Sequence, residues 1–350
     1  MTDKTAAAAT HGADNEGFNY YGRWHAGKTA VTLCSGAILE FAYGGNHCVL
    51  LFDVSGFSQY PAVFVQADNG PIVKTTLACD TCAVPVIPPH NVQPAGRPPF
   101  KEVSSNCHLV RVWVAAHSLY KTSASGKQWI GLDGSCRFEG VELKGGGLVK
   151  LPYIRNQIEF LGDSITQGRR ILYTGVGDDT GQQVPYANWP QLAADLLGMK
   201  PVVTGFGGQG LASHGTCGAP PASEAFPWIC GSIRWSPAIK PQVAVIYQGT
   251  NDSVPAAVFE DLYKKYLGTI RAGYPDAFIF AACPHNKTGY AAAIDKAVVA
   301  AGDRKIFFLD YSSGVIAPEK TCDGCHLNPG GAVALAARFA SDIRERLDGP

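Results

Sequence analysis

The chain lacks an excess of charge of either sign. Its 350 residues include 29 Lys and Arg against 29 Asp and Glu, which leaves a formal net charge of zero. Nucleic acids and anionic membranes are attracted by surplus positive charge, so the charge balance favours neither as a partner. We therefore expect no nucleic-acid partner, no membrane partner, and a ligand that is small or neutral.

Long apolar runs are also missing. No stretch approaches the ~20 apolar residues that a helix needs to cross a bilayer. Residues 1–16 are small and polar, include Asp3, Asp14 and Glu16, and lack the apolar core of a secretory signal. We expect them to form a disordered tail. The protein is then expected to stay inside the cell, unless a signal sequence has been removed and it is secreted.

Cysteine is not scarce, but its number is odd: eleven thiols cannot all pair within one chain. Two pairs have C-x-x-C spacing, Cys79 with Cys82 and Cys322 with Cys325. A zinc site built from both pairs is one interpretation. Local disulfides or buried thiols are favoured because the two pairs lie far apart in sequence. Cys217 and Cys230 bracket a loop that a disulfide between them would close.

The first half of the chain predicts a β-sandwich. Runs rich in β-branched and aromatic residues alternate with Gly, Asn and Asp, and no long helical pattern interrupts them. This is typical of antiparallel sheets packed face to face. Strands are predicted at 37–43, 48–54, 62–67, 108–114 and 138–143, and a proline-rich loop at 84–99. The sandwich domain is placed at residues 17–151.

After Pro152 the pattern changes to alternating strands and helices. Such alternation requires parallel strands joined by right-handed crossovers, so residues 152–350 are predicted to form a three-layer α/β/α domain. Ligands of these domains bind at the carboxyl ends of the strands. Strands are predicted at 158–161, 202–203, 243–247, 277–282 and 305–309, and helices at 187–197, 256–272, 290–301 and 330–347.

Four short motifs fall at these predicted strand ends. A serine hydroxyl is a weak nucleophile until a base accepts its proton. His326 is the candidate base for Ser164, and Asp323 on the same loop can accept from the second imidazole nitrogen. The motifs are Gly162-Asp163-Ser164, Gly205-Phe206-Gly207-Gly208, Gly249-Thr250-Asn251-Asp252 and Asp323-Gly324-Cys325-His326.

The two middle motifs supply candidate hydrogen-bond donors for the oxyanion of an acyl-transfer reaction. The expected donors are the backbone N–H groups of Ser164 and Gly208 and the side-chain amide of Asn251. The glycine-rich motif has neither the lysine nor the spacing of a phosphate-binding loop. Asp252 is interpreted as a cap of the following helix, and Asp163 is expected to brace the serine turn.

Five further side chains have two interpretations each. Trp228, Trp235 and Tyr247 either stack on a sugar ring near the cleft or pack in the core or a loop, and the sequence does not separate these alternatives. Arg169 and Arg170 follow the serine turn. They are interpreted as solvated surface charges, with recognition of an acidic substrate group as the alternative.

Taken together, the four motifs resemble those of the SGNH/GDSL hydrolase superfamily over most of residues 157–348. By position, the resemblance implies that Ser164 is the nucleophile and that Gly208 and Asn251 are oxyanion donors. It also implies that His326, supported by Asp323, is the base. As a set the motifs are specific, although each alone is weak.

The first half of the chain looks like carbohydrate esterase family two. The resemblance lies in segments 21–24, 39–45, 110–113 and 158–160. Members of that family join a jelly roll to an SGNH domain and remove acetyl groups from plant polysaccharides. The chain departs from their usual pattern at Cys325, where a tryptophan commonly precedes the catalytic histidine.

These resemblances imply a serine esterase that deacetylates a poly- or oligosaccharide through an acyl-enzyme, with no metal or organic cofactor. A lipase, thioesterase or lysophospholipase on the same scaffold is the alternative among enzymes. A carbohydrate-binding protein that has lost its chemistry is the alternative outside them. The presence of Ser164, Asn251 and His326 together favours an enzyme.

Overall fold

The computed structural model describes residues 8–57, 60–89, 107–115, 129, 135–173 and 182–348. Its N-terminal half forms two antiparallel sheets, and its C-terminal half forms a parallel sheet flanked by helices. The predicted fold class, a sandwich followed by an α/β/α domain, is therefore confirmed. Among the described residues, no helix has the length and apolarity that a bilayer crossing needs.

The sandwich is built from strands β1 to β11. One sheet has the order β1-β10-β5-β8, with β3 also paired to β10, and the other has the order β11-β4-β9-β6-β7, with β2 also paired to β4. The strands are β1 Ala9–Gly12, β2 Asn19–Tyr21, β3 Ala30–Thr32, β4 Ile38–Gly44, β5 His47–Asp53, β6 Ala62–Ala67, β7 Val73–Thr76, β8 Thr81–Pro85, β9 Cys107–Ala115, β10 Cys136–Lys144 and β11 Leu148–Val149.

The prediction of a disordered tail is wrong from Ala9 onward. Strand β1 pairs with β10 from Ala9 opposite Leu143 to Gly12 opposite Gly140. Backbone groups at a sheet edge need hydrogen-bond partners, and a polar segment supplies them as well as an apolar one does. Gly140 permits the close approach, because a Cβ there would lie 2.1 Å from the His11 carbonyl oxygen. Residues 1–7 of the predicted tail lie outside the described residues.

The predicted loop at 84–99 begins too early. Val84 and Pro85 belong to β8, which lies at the edge of its sheet. An edge position tolerates proline because its missing N–H is not needed on the open side. Residues 90–99 of the predicted loop lie outside the described residues.

The parallel sheet has the strand order β13-β12-β16-β17-β18, with the hairpin β14-β15 beside it. Helices α2 and α6 pack on one face through Trp189 and Phe339, and α4 and α5 pack on the other through Phe259 and Ile294. The strands are β12 Gln157–Gly162, β13 Lys200–Gly205, β14 Trp228–Cys230, β15 Ile233–Arg234, β16 Val243–Tyr247, β17 Phe278–Cys283 and β18 Ile306–Asp310. The helices are α1 Ser164–Gln167, α2 Trp189–Leu197, α3 Ala222–Ala225, α4 Ala256–Gly273, α5 Ala291–Ala301 and α6 Pro329–Leu347.

The outer face of the second sandwich sheet packs against the α/β domain. Trp113 on β9 lies beside Tyr186, and its indole N–H donates to Gln191 Oε1 at 3.0 Å. A second polar contact crosses the same interface, where Lys200 Nζ lies 2.6 Å from Glu40 Oε1. These contacts explain why β4 is buried on both faces and has an almost continuously apolar sequence.

A second buried ion pair joins the two halves at another point. Arg23, only 1% exposed, has its Nε 2.9 Å from Glu159 Oε1 on β12. Its Nη1 donates to the carbonyl oxygens of Phe226 and Trp228, each at 2.7 Å. A buried charge is tolerable only where partners replace its lost hydration, so Arg23 is held to one position relative to the parallel sheet.

Replacing Arg23 by Met should destabilise the protein by about 3 kcal/mol, because Glu159 would remain as an uncompensated buried charge. Urea unfolding measures this change. The matched control is Lys150→Met, which breaks a pair with Glu16 whose side chains are 68% and 80% exposed and should leave the urea midpoint nearly unchanged, because water screens an exposed pair. Equal small effects of the two substitutions would contradict the structural importance of Arg23.

Candidate active site

Three neighbouring strands end at the same level of the parallel sheet. Gly162, the last residue of β12, pairs with Gly205 of β13 on one side and with Tyr247 of β16 on the other. Because parallel strands present their carboxyl ends at one edge, the loops that follow them are neighbours. The loops carrying Ser164, Gly208 and Asn251 therefore begin side by side.

The serine lies on a tight turn between β12 and the short helix α1. Asp163 caps that helix, since its Oδ1 accepts from the Ile165 N–H at 2.9 Å. The predicted bracing role of Asp163 is thus confirmed. Glycine is required at position 162, because a Cβ there would lie 2.0 Å from Thr166 Oγ1. Burial raises the pKa of Asp163 to about 7.

The first residues of helix α2 and its N-cap, Asn188, hydrogen-bond to the serine turn. The Asn188 side-chain amide donates to the Thr166 carbonyl oxygen at 2.7 Å, and the Trp189 indole N–H donates to the Ile165 carbonyl oxygen at 3.2 Å. These carbonyls belong to the last turn of α1, where intrahelical partners run out. The serine turn is therefore fixed by packing and by side-chain hydrogen bonds together.

Ser164, His326 and Asp323 form a continuous hydrogen-bonded chain. His326 Nε2 lies 2.9 Å from Ser164 Oγ, and His326 Nδ1 lies 2.8 Å from Asp323 Oδ2. Asp323 Oδ1 also accepts from the backbone N–H of His326 at 2.7 Å. Since an ionised carboxylate only accepts, Nδ1 carries the imidazole proton and Nε2 faces the serine as an acceptor. Ser164 is 4% exposed and His326 8% exposed, so these two residues are shielded from water, whereas Asp323 lies at the surface.

Burial and neighbouring charges set the ionisation of this chain. Desolvation lowers the pKa of His326 below its ordinary 6.5, against the opposing effect of Asp323, and Arg169 and Arg170 lower it further. Burial also opposes ionisation of Asp323. The hydrogen bonds from His326 and Arg170 outweigh that effect and hold the pKa of Asp323 well below its usual range. At neutral pH the arrangement is a carboxylate, a neutral imidazole and a hydroxyl.

The two loops that carry the candidate oxyanion donors are joined to each other. The Asn251 side-chain N–H donates to the Gln209 carbonyl oxygen at 3.0 Å, which fixes the amide orientation and leaves a second N–H on the same nitrogen. Gly208 is exposed, with a φ of +74° that favours glycine. The structure thus brings the loops of Gly208 and Asn251 into direct contact.

Asp252 links the same loops and does not cap a helix. Its carboxylate accepts from the backbone N–H groups of Leu211 at 2.9 Å and Ala212 at 2.8 Å. Helix α4 begins after Pro255 and has no side-chain cap. The predicted capping role of Asp252 is therefore wrong, because the donors of the glycine-rich loop compete successfully for its carboxylate.

Comparison with known proteins agrees with this arrangement of strand ends. Residues 160–334, half of the chain, match the GDSL-like lipase/acylhydrolase family. The chain belongs to this family. The cellulase/esterase CelE of Acetivibrio thermocellus is 23% identical over an alignment of 323 positions that covers 85% of the chain and 36% of that protein. The chain thus spans about a third of the length of this curated relative.

Solved structures extend the likeness to both halves of the chain. One similar structure is a family two carbohydrate esterase from Clostridium thermocellum in complex with cellohexaose. It matches with a TM-score of 0.77 and 21% identity, and the match covers 95% of the present chain and 99% of the esterase chain. An acetyl xylan esterase from Butyrivibrio proteoclasticus matches with a TM-score of 0.78 and 14% identity, and the match covers 98% of the present chain and 99% of that esterase chain. At these identities the likeness establishes the fold, a sandwich joined to a GDSL-type domain.

In this member of the family, the loop that carries Asp323 and His326 is held in place by residues outside the four sequence motifs. His285 Nε2 donates to the Cys325 carbonyl oxygen at 3.0 Å, and His285 Nδ1 accepts from the Tyr247 hydroxyl at 2.8 Å. The Asn286 amide donates to Cys325 Sγ at 3.1 Å. The signal in the sequence is a histidine two residues after the end of β17, at a strand end like the other motifs.

The three aromatic residues predicted for sugar stacking have different surroundings. Tyr247 is 0% exposed and lies in the core, so the stacking interpretation is wrong for it. Trp235 donates its indole N–H to the Tyr274 hydroxyl at 2.7 Å. Tyr274 lies just before the first residue of β17, so its hydrogen-bond partner Trp235 lies near the amino ends of the strands. Trp235 itself precedes β16 in the chain, in the connection that leads to the amino end of that strand. The stacking interpretation is wrong there too. Trp228 is half-buried under the Arg234 guanidinium, and its sugar contact stays a prediction.

The cysteines form no zinc cluster within the part of the chain that the structure describes: no group of three or more His, Cys, Asp or Glu there is arranged to hold a metal. Cys79 and Cys82 lie in the sandwich with their sulfurs 3.0 Å apart, and Cys322 and Cys325 lie in the loop of the base. The loop disulfide to Cys230 is not formed, since this buried thiol contacts Ser232 Oγ at 3.4 Å.

Replacing Gly210 by Ala should impair hydrolysis of an activated ester by roughly tenfold, less than the roughly hundredfold to thousandfold loss expected when an oxyanion donor is removed outright. A Cβ at Gly210 would lie 2.5 Å from Asp252 Oδ1, so the link between the two donor loops must shift. The control is Gly268→Ala, on an exposed stretch of α4 where a Cβ meets nothing within 4 Å. If both variants keep wild-type kcat, the Asp252 link is not needed to place the donors.

Proposed function

We propose that the chain is a serine esterase that removes acetyl groups from a carbohydrate through an acyl-enzyme. The observation that carries the proposal is the pair of hydrogen bonds that connects Ser164 Oγ to His326 and His326 to Asp323, at the carboxyl edge of the sheet. Membership of an acylhydrolase family supports the reaction type. A hydroxyl, a neutral imidazole and an ionised carboxylate in this order are the groups that acyl transfer requires.

In the proposed reaction, Ser164 Oγ attacks the acetyl carbonyl carbon while His326 Nε2 accepts the serine proton. Asp323 stabilises the imidazolium that forms and keeps the ring oriented. His326 then returns the proton to the departing sugar hydroxyl as the acyl-enzyme forms. A water molecule, deprotonated by the same nitrogen, attacks the acyl carbon, and release of acetate restores the serine.

The proposed oxyanion donors are the N–H groups of Ser164 and Gly208 and the side-chain amide of Asn251. Three features support this assignment: the common level of the strand ends, the exposed turn at Gly208, and the fixed amide of Asn251. Donors held in place before the reaction stabilise the developing charge without reorganisation, and losing one costs about 2.7–4 kcal/mol.

A carbohydrate acetyl ester as the substrate is supported by the similar structures. Those proteins share the sandwich as well as the GDSL-type domain, one is in complex with cellohexaose, and another is named an acetyl xylan esterase. The zero net charge of the chain also suits a neutral polysaccharide. A series of 4-nitrophenyl esters from acetate to decanoate separates this substrate class from lipids, since a deacetylase should lose kcat/KM steeply beyond acetate.

Replacing Ser164 by Ala should lower kcat for 4-nitrophenyl acetate at least about a thousandfold, because no other described group replaces the nucleophile. The release of 4-nitrophenol measures the rate. Ser232→Ala, in the turn between β14 and β15, is the matched serine control and should keep wild-type activity. Undiminished hydrolysis by the Ser164 variant would refute the proposed mechanism.

The acid limb of the kcat/KM profile should have its midpoint below pH 6.5. Only neutral His326 accepts the serine proton, and burial lowers its pKa, so the active form persists below the ordinary value of 6.5. Asp163, whose pKa is raised to about 7, titrates nearby. The Asp163→Asn variant removes that second titration. A midpoint above 6.5 in both proteins would contradict a buried, neutral base.

A further inference from the structure

Arg170 shares one carboxylate oxygen with the candidate base. Its Nη1 lies 2.9 Å from Asp323 Oδ2, the same oxygen that lies 2.8 Å from His326 Nδ1. The arginine side chain is 28% exposed and the aspartate side chain 22% exposed, so the pair lies at the protein surface with part of each side chain covered. The sequence interpretation of Arg170 as a solvated surface charge did not include this ion pair. A charge-assisted hydrogen bond of this kind is stronger than a neutral one and fixes the geometry of its acceptor.

The backbone holds Arg170 in an unusual conformation. Its φ is +62°, a left-handed value that is uncommon for residues other than glycine. The segment continues directly from the nucleophile turn, since the Arg169 N–H donates to the Ser164 carbonyl oxygen at 3.0 Å. The Arg170 guanidinium lies over the Tyr173 ring at 4.9 Å. Such a conformation persists only where the surrounding structure maintains it.

We propose that Arg170 is a positioning residue of the esterase, which holds the Asp323 carboxylate against His326 and places a fixed positive charge beside that base. This inference rests on the function proposed above. The segment after the nucleophile turn would thereby connect two members of the triad directly, Ser164 through its backbone and Asp323 through the guanidinium.

The charge of Arg170 acts on a base with a mixed environment. Desolvation lowers the pKa of His326, Asp323 raises it, and the two arginines lower it again. Arg170 neutralises part of the carboxylate charge that would otherwise favour the imidazolium. The titratable and charged groups facing His326 or its loop are Asp323, Cys322 and Cys325 on its own loop, Asp163 on the nucleophile turn, Arg169 and Arg170 after α1, and His285 after β17.

Removing Arg170 should have two separable consequences. Loss of the positive charge should raise the pKa of His326, moving the acid limb of kcat/KM upward by roughly half to one pH unit. Loss of the hydrogen bond should lower the pH-independent kcat roughly three- to tenfold, since Asp323 orients the imidazole less well. A merely structural arginine would change thermal stability and leave the acid limb in place.

The experiment compares three substitutions at one position. Arg170→Met removes both the charge and the donor, Arg170→Gln removes the charge and keeps a donor, and Arg170→Lys keeps the charge. The matched control is Arg338→Met, which breaks another arginine–carboxylate pair, with Asp342, beside a tyrosine ring. The readouts are kcat/KM against pH for 4-nitrophenyl acetate and the titration of His326 by NMR in histidine-labelled protein. The NMR signal is assigned by its loss in His326→Gln.

We expect the Met and Gln variants to raise the titration midpoint of His326 and the acid limb together. The Lys variant should keep both near wild type while losing part of kcat, and Arg338→Met should change neither. Unchanged midpoints in the Met and Gln variants would overturn the inference, and the Gln variant carries the test alone if the Met variant fails to fold. A wild-type enzyme without ester hydrolysis would refute the proposed function, while the NMR titration would still test Arg170.

Discussion

The shared level at which β12, β13 and β16 end is the constraint on which the rest of the site depends. Gly162 pairs with Gly205 and Tyr247, so backbone hydrogen bonds of the sheet interior set where each following loop begins. The catalytic chemistry is then added by short loops whose side chains bond to one another. Asp252 links two of them, and Arg170 with His326 links the turn of Ser164 to the loop of the base. A stable sheet thus supplies precision that the loops alone would not have.

The sandwich contributes to this precision through its contacts with β12 and with the edge strand β13. Its outer face is buried against the α/β domain, and two buried ionic contacts, Arg23 with Glu159 and Glu40 with Lys200, tie it to β12 and β13. Glu159 lies three residues before the end of the strand that leads to the nucleophile turn. The interface therefore stabilises the same two strands that carry the serine and the glycine-rich loop, and the two halves form one structural unit.

Periodicity and turn residues predicted most of the fold, because alternating strands and helices allow few topologies. The Gly-Asp-Ser turn and the Asp-x-x-His loop were readable for the same reason: each combines a turn requirement with a chemical one. Bracing by His285 and the link from Arg170 to Asp323 were not readable, since they depend on which loops meet in space. For Tyr247 and Trp235 the sequence allowed a sugar contact that the fold does not provide. Tyr247 lies in the core, and Trp235 lies at the opposite edge of the sheet from the candidate site. The pairing of β1 depended on an edge of β10 that only the folded sheet reveals.

The most direct test of the account is acetate release from acetylated xylan, glucomannan, pectin and simple acetylated sugars, measured side by side with release of longer fatty acids from lipid esters. We expect acetate release from at least one carbohydrate by the wild-type protein and much slower release of long acyl chains. Hydrolysis confined to lipid esters, with no acetate from any carbohydrate, would contradict the proposed substrate class. The triad of Ser164, His326 and Asp323 would then serve a lipase or thioesterase.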